Sequence, residues 1–290
     1  MTKKLKVLVT GATGNQGGAV ANALLERGHN VRALSRNPAS DSARKLAELG
    51  AEVVSGNFDD RESVLKALQD VDAFYLMGSP FERGADAEAK QGIELADLAK
   101  SAKVGHLVYG SVASADTNTG IPHFDSKYKI EQHIRTLGTP YTISAPVFFM
   151  DNVLAPWSID SLKQGKITQA MPAERALQQI SVKNIGEFVA SLIERRESVF
   201  GHRFDIAGDE LTGFDMAKIL SHQAVRQITY ESFPVSDLKR QNSDMGAMFE
   251  WFDQCGYSVD VAMLRREFPD VKWQDYPTWA TEQDWSVLDD

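Results

Sequence analysis

The chain has a single cysteine, Cys255, in 290 residues. That excludes an intramolecular disulfide and any cysteine-built zinc site, and it suits a reducing compartment. No apolar run approaches the roughly 18 residues that a membrane span needs. Met1 to Lys6 is basic, but only Val7-Leu8-Val9 follows before the glycines begin, too short for a signal-peptide core. Basic charge is also scarce. Set against 40 Asp and Glu, 31 Lys and Arg leave a net charge of −9, whereas a protein that neutralises a phosphate backbone needs a basic surface. Nucleic acid is therefore disfavoured as a partner, a membrane is not expected, and the cytoplasm is the expected location. What is present is an ordinary globular make-up, with 43% hydrophobic residues to fill a large core. There is no internal repeat and no low-complexity segment.

Up to about Ala145, short β-branched runs alternate with helix-period segments. The runs are Val7–Thr10, Val31–Leu34, Glu52–Val54, Ala73–Leu76, His106–Tyr109 and Tyr141–Ile143. Their continuous apolar character is that of strands buried on both faces. Gly28 and Gly50 stand where helix C-caps are expected, and Asp60 with Ser63 opens another helix. Such alternation implies right-handed βαβ crossovers and a doubly wound parallel sheet of six or seven strands. Beyond Asp151 the rhythm breaks at Pro156 and Pro172. Helices are expected near Ile185–Glu194, Met216–Ala224 and Ser243–Phe252, and Phe204-Asp205-Ile206 can return as one more strand. Four of the five tryptophans lie beyond residue 250; they either pack a small lobe or wall a cleft between lobes.

The most informative stretch runs Val7-Leu8-Val9-Thr10-Gly11-Ala12-Thr13-Gly14-Asn15-Gln16-Gly17-Gly18, between a strand and a helix. A diphosphate rests on free amides at a helix start, so the chain must turn tightly and carry no Cβ where phosphate approaches. Gly11 is expected to make the turn, Gly14 to admit the phosphates, and Gly17 to let helix and strand pack. A P-loop is excluded, because no Gly-Lys-Ser/Thr follows. The fold class expected is thus α/β, a doubly wound parallel Rossmann sheet with a smaller C-terminal α+β lobe. Residues 1–150 would form the NADP-binding domain. Residues 151–290 would form the substrate or partner lobe, some segments returning to the main sheet. Where an NAD site places an acid at the end of the second strand, this chain reads Leu34-Ser35-Arg36-Asn37. Arg36 can hold a 2′-phosphate through charge-assisted hydrogen bonds, a preference of about tenfold for NADP(H) over NAD.

With Gly11–Gly18, Val31–Pro38, His123-Phe124-Asp125-Ser126-Lys127 and Val147–Asn152, the sequence resembles the NmrA-like family of atypical short-chain dehydrogenases/reductases over nearly its whole length. The resemblance implies NADP(H) bound along the carboxyl ends of the strands. It places Thr13, Asn15 and Gln16 in the phosphate turn, Asn57, Phe58 and Asp59 beside the adenine, and Gly78 and Ser79 by the ribose next to the nicotinamide. Lys127 would bind the nicotinamide ribose, and Phe148, Phe149 and Asn152 would close the nicotinamide end. Some members resemble cofactor-sensing regulators, while others are hydride-transfer enzymes.

One departure matters. Short-chain dehydrogenases use Tyr-x-x-x-Lys, with a serine about a dozen residues earlier. Here Lys127 is present and Ser111 lies sixteen residues before it, but the tyrosine slot holds His123. Tyr128 follows the lysine and points about 100° away on a helix. His123 can act as an acid in the tyrosine's stead, as can Lys127 alone, or Lys127 binds the cofactor and His123 simply lines the pocket. The six histidines show no i, i+4 ligand pair, so a metal site is not expected. Two functions follow: an NADPH-dependent reductase of a small aromatic or quinone-like substrate, or a non-catalytic redox sensor acting on a regulatory protein partner. Monomer and homodimer remain equally open.

Overall fold

The computed structural model describes residues 4–289. In chain order come β1 (Lys6–Val9), α1 (Asn15–Glu26), β2 (Asn30–Ser35), α2 (Asp41–Glu48), β3 (Glu52–Ser55) and α3 (Arg61–Ala67). Then follow β4 (Ala73–Leu76), α4 (Ala85–Ser101), β5 (Leu107–Gly110), α5 (Pro122–Thr136) and β6 (Tyr141–Pro146). Every strand run expected from the sequence lies in one of these six strands, to within a residue or so at the ends. Gly28 and Gly50 take positive φ of 83° and 100° just past α1 and α2, and the Asp60 side chain caps α3. The caps sit where local chemistry dictated.

The second half supplies β7 (Phe148–Phe149), α6 (Ile159–Lys163), β8 (Lys166–Gln169), β9 (Leu177–Ile180), α7 (Val182–Glu194) and α8 (Arg196–Val199). It continues with β10 (Arg203–Ile206), β11 (Asp209–Leu211), α9 (Gly213–Gln223), β12 (Thr229–Ser232), α10 (Val235–Gln241) and α11 (Ser243–Gln254). Two short helices, α12 (Val261–Glu267) and α13 (Tyr276–Thr281), lie near the end of the chain.

Seven strands form one sheet in the order β10-β6-β5-β4-β1-β2-β3, with every pairing parallel. The doubly wound α/β class is therefore correct, and Phe204-Asp205-Ile206 does return to the sheet, beside β6. One face carries a core built from Val20 and Leu24 of α1 with Phe188 and Leu192 of α7. The other carries Val64 of α3, Leu95 and Leu98 of α4, and Ile130 and Ile134 of α5. Strand order reverses between β1 and β4, and such a switch point opens a crevice at the carboxyl ends of the strands. Small sheets β11-β9-β7 and β12-β8 stand beyond those ends. Among the late tryptophans, Trp279 is buried in the core shared by α9 and α13, and Trp251 packs on Phe124. None of the four lines the cleft described below; the tryptophan on its rim is Trp157, 76% exposed.

Candidate active site

The crevice begins at the turn after β1. Gly11 has φ +63°, and its α-carbon faces Met77 so closely that a Cβ would lie 2.8 Å from the Met77 sulfur. Gly14 N–H donates to Gly11 O (2.9 Å), and the first turn of α1 closes with Gly18 N–H on Gly14 O (2.8 Å). The preceding amides, those of Asn15, Gln16 and Gly17, have no earlier turn to bond to. Gly14, the N-cap, supplies no side chain to cap them. A Cβ on Gly17 would stand 2.3 Å from Gly11 O, so only glycine lets α1 start against the turn. Thr13, Gly14 and Asn15 are exposed above this start. Of these three only Gly14 lacks a Cβ, and with no side chain capping the helix start its first amides are left for an acceptor such as a diphosphate. Gln16 is held from below: its side-chain amide donates to the Tyr75 hydroxyl (2.8 Å), and burial pushes that phenol's pKa well up.

Across the switch point, Met77-Gly78-Ser79-Pro80 leaves β4 and opens a cleft of about 930 Å³. Its walls hold Asn15, Gln16, Gly78, Ser79, His123, Lys127, Phe148, Phe149 and Asn152, so nine of the residues expected from the sequence meet in one cavity. Met245, Met248 and Phe249 of α11 close the far side. Its only Lys, Arg, Asp or Glu side chains, among the described residues, are Lys127 and Lys166. Each has a carboxylate partner: Lys127 Nζ lies 2.6 Å from Glu88 Oε1, and Lys166 lies 3.0 Å from Glu231. Glu88 is buried in α4 and accepts from Ser126 Oγ as well (2.6 Å). His123, in the first turn of α5, approaches Asp244 of α11, with Nδ1 2.5 Å from a carboxylate oxygen. Ser111 reaches the cleft wall, but its hydroxyl donates to Glu131 (2.5 Å). Burial raises the Glu131 carboxyl pKa, against the opposing pull of Arg203.

A family model described as the NmrA-like family matches residues 3–280. The chain belongs to the NmrA-like family. An NmrA-like family domain-containing protein of Dictyostelium discoideum is 27% identical over 271 residues, covering 87% of this chain and 88% of the relative. An NmrA-like oxidoreductase of a Cladobotryum species is 38% identical over 161 residues, about half of each chain (51% and 48%). Among solved structures, a triphenylmethane reductase of Citrobacter complexed with NADP(H) superposes with a TM-score of 0.79 at 20% identity, covering 94% and 98%. NmrA itself, a negative transcriptional regulator in complex with NADP, gives 0.80 at 17%, covering 97% and 99%. An NADPH-dependent quinone oxidoreductase of Escherichia coli gives 0.76 at 22%, covering 95% and 98%. At these identities the structural likeness speaks for the fold.

In this NmrA-like protein the remaining expected residues lie outside the cleft. Arg36, 68% exposed, holds Glu82 through both terminal nitrogens (2.8 Å each). Asp59 pairs with Arg83 (2.7 Å) and accepts from Gln91, and these hydrogen bonds hold its carboxyl below the usual range. Asn57 and Phe58 border the same end, where Asn57 Oδ1 accepts from Asp59 N–H (3.2 Å). The segment Ser79–Gly84 therefore ties Arg36 to Asp59 as a strap along that end of the crevice. Sequence reasoning missed Glu82, Arg83, Glu88 and Asp244. None belongs to a local motif, and only the fold brings them to their partners. No helix among the described residues is long and apolar enough to cross a membrane.

Proposed function

We propose that this NmrA-like protein binds NADP(H) and reduces a neutral, flat small molecule of the quinone or aromatic class. Gly11, Thr13, Gly14, Asn15, Gln16 and Gly17 would take the diphosphate, and Arg36 the 2′-phosphate. Asn57, Phe58 and Asp59 would border the adenine. Gly78, Ser79 and Lys127 would take the second ribose, with Phe148, Phe149 and Asn152 at the nicotinamide end. When bound, NADPH supplies a hydride. The observation that carries the substrate class is the cleft itself: its walls are chiefly apolar, and both of its lysines are already neutralised. An anionic substrate would find no free cation there, whereas a flat apolar one can bury its surface against Phe148, Phe149, Met248 and Trp157. Two oxidoreductases with this fold, named for a triphenylmethane and a quinone, support the reading.

A second reading, a redox sensor that presents its cofactor state to a protein partner, is favoured by one feature. The Lys127 ammonium, which would serve the ribose, is engaged by buried Glu88, and no tyrosine stands four residues before it. A sensor must bind NADPH and NADP⁺ with different affinities in its two states, or it shifts nothing.

The test is titration with NADPH and NADH, followed by loss of nicotinamide absorbance on adding menadione, a neutral naphthoquinone. NADPH should bind about tenfold or more tightly than NADH, and menadione should be consumed. If neither form of NADP associates at millimolar concentration, the reading is wrong. Binding without turnover, together with a change of oligomeric state between NADPH and NADP⁺, would favour the sensor.

A further inference from the structure

We infer that Asp244 positions His123 as the proton donor of the cleft, so that an Asp–His pair from two distant helices takes the place of the missing tyrosine. This inference rests on the reductase reading above. A carboxylate only accepts, so the 2.5 Å contact requires the proton to sit on His123 Nδ1. That bond fixes the ring plane and leaves Nε2 as the atom that gains and gives up the second proton. Nε2 has no protein partner among the described residues and is not sealed from solvent, while the ring lines the cleft. His123 is four residues before Lys127 on α5, hence on the same helix face.

The pair is a built feature. Asp244 lies in the first turn of α11, whose N-cap Asn242 accepts from Met245 N–H. Farther along α11, Met248 and Phe252 join Phe124 of α5 in one buried cluster, and Trp251 stands edge-on to Phe124 at 5.9 Å. Packing thus brings the two helix starts together. Ser111, the other group expected to orient a substrate oxygen, has its proton committed to Glu131. Among the described residues, the charged groups near the His123 ring include Asp244 on α11 and, one turn along α5, Lys127 with its α4 partner Glu88.

The substrate class follows from the chemistry. A quinone or conjugated carbonyl needs a hydride and one proton, and the proton must reach an oxygen. Bound NADPH would supply that hydride and leave as NADP⁺, so the cleft itself has only the proton to provide. The Nε2–H bond breaks as the new O–H bond forms, and solvent returns the proton to Nε2. The substrate is therefore a neutral acceptor whose oxygen is protonated during reduction.

The experiment has two arms. In the cofactor-free protein, proton NMR should show a low-field Nδ1–H signal that disappears in both His123→Gln and Asp244→Asn. In turnover with menadione, Asp244→Asn should lower kcat about tenfold or more, while KM for menadione and the dissociation constant for NADPH change less than about twofold. Asp244→Glu should recover part of kcat. Absence of the low-field signal in the wild-type protein would sink the pairing. Unchanged kcat in Asp244→Asn, or a fall in NADPH affinity matching the fall in kcat, would sink the positioning role. Wild-type protein that binds NADPH and reduces no quinone would instead sink the reductase reading and the donor role with it, whatever the NMR arm shows.

Discussion

Arg36 shows how a residue chosen from sequence meets a neighbour that sequence does not reveal. The guanidinium is expected to hold a 2′-phosphate, and both of its terminal nitrogens are on Glu82. The pair is exposed on both sides, at 68% and 57%. Exposed pairs contribute about 0–1 kcal/mol, so a phosphate carrying nearly two charges can displace the carboxylate. Glu82 then acts as a competitor for the site. Glu82→Gln should tighten NADPH binding by up to about fivefold, the upper end of that range, and leave NADH unchanged. Isothermal titration of both cofactors decides it: an equal gain for NADH would mean that Glu82 acts elsewhere than at the 2′-phosphate.

The elements of the first half were largely legible, because most of its strand runs are short apolar segments and several of its helix ends carry cap chemistry of their own. Polar strands such as β8, β11 and β12 carry no such signal. Gly28, Gly50 and Asp60 act locally, so a single sequence suffices to read them. The candidate site was legible only where it is local. The Gly11–Gly17 turn is contained in one βα unit, but Lys127 meets Glu88 across 39 residues and His123 meets Asp244 across 121. No periodicity encodes such a pairing; tertiary packing creates it. The same holds for helix against helix. On α7, a Cβ at Gly186 would lie 2.3 Å from the carbonyl oxygen of Ala19 on α1, so the two backbones touch. Arg27 and His29, just past α1, then share Glu194 at the end of α7. Gly186→Ala must push α7 off α1. Overpacking of this kind costs about 1–3 kcal/mol, a fall of roughly 2–10 °C in Tm for a chain of this size. Because α1 begins at the Gly14 turn, NADPH affinity measured well below Tm should fall too. A lower Tm with unaltered affinity would show that the turn is insulated from the α1–α7 contact.

At the scale of the whole molecule, folding stability depends on pH through groups that burial has moved, and they do not all pull the same way. His106 stands at the foot of β5, fully buried, with its pKa lowered to about 3 by desolvation and then by the charge of Arg196. The hydrogen bonds explain its neutral state. Thr142 Oγ1 gives its proton to Val199 O (2.8 Å), so it accepts from His106 Nε2–H (2.8 Å). Nδ1 is then a bare lone pair, buried with no partner, and protonating it would place an uncompensated cation in the core. The unfolded chain binds that proton near pH 6.5 and the folded chain only near 3. Stability from this group is therefore complete above about pH 6.5 and drains away as pH falls toward 3. Glu131, Asp151 and Asp205, raised by burial, work in the opposite sense: the folded state holds their protons longer, and stability falls as pH rises through the carboxylate range. A raw pH profile therefore mixes the two. His106→Gln separates them, since its amide can still donate to Thr142 while the buried acids are common to both proteins. Between pH 7 and 5.5 the wild type should lose about 1.2 kcal/mol more than the variant, read from urea unfolding at the two pH values. Parallel losses in the two proteins would mean that the His106 ring is protonated as easily inside the fold as outside it.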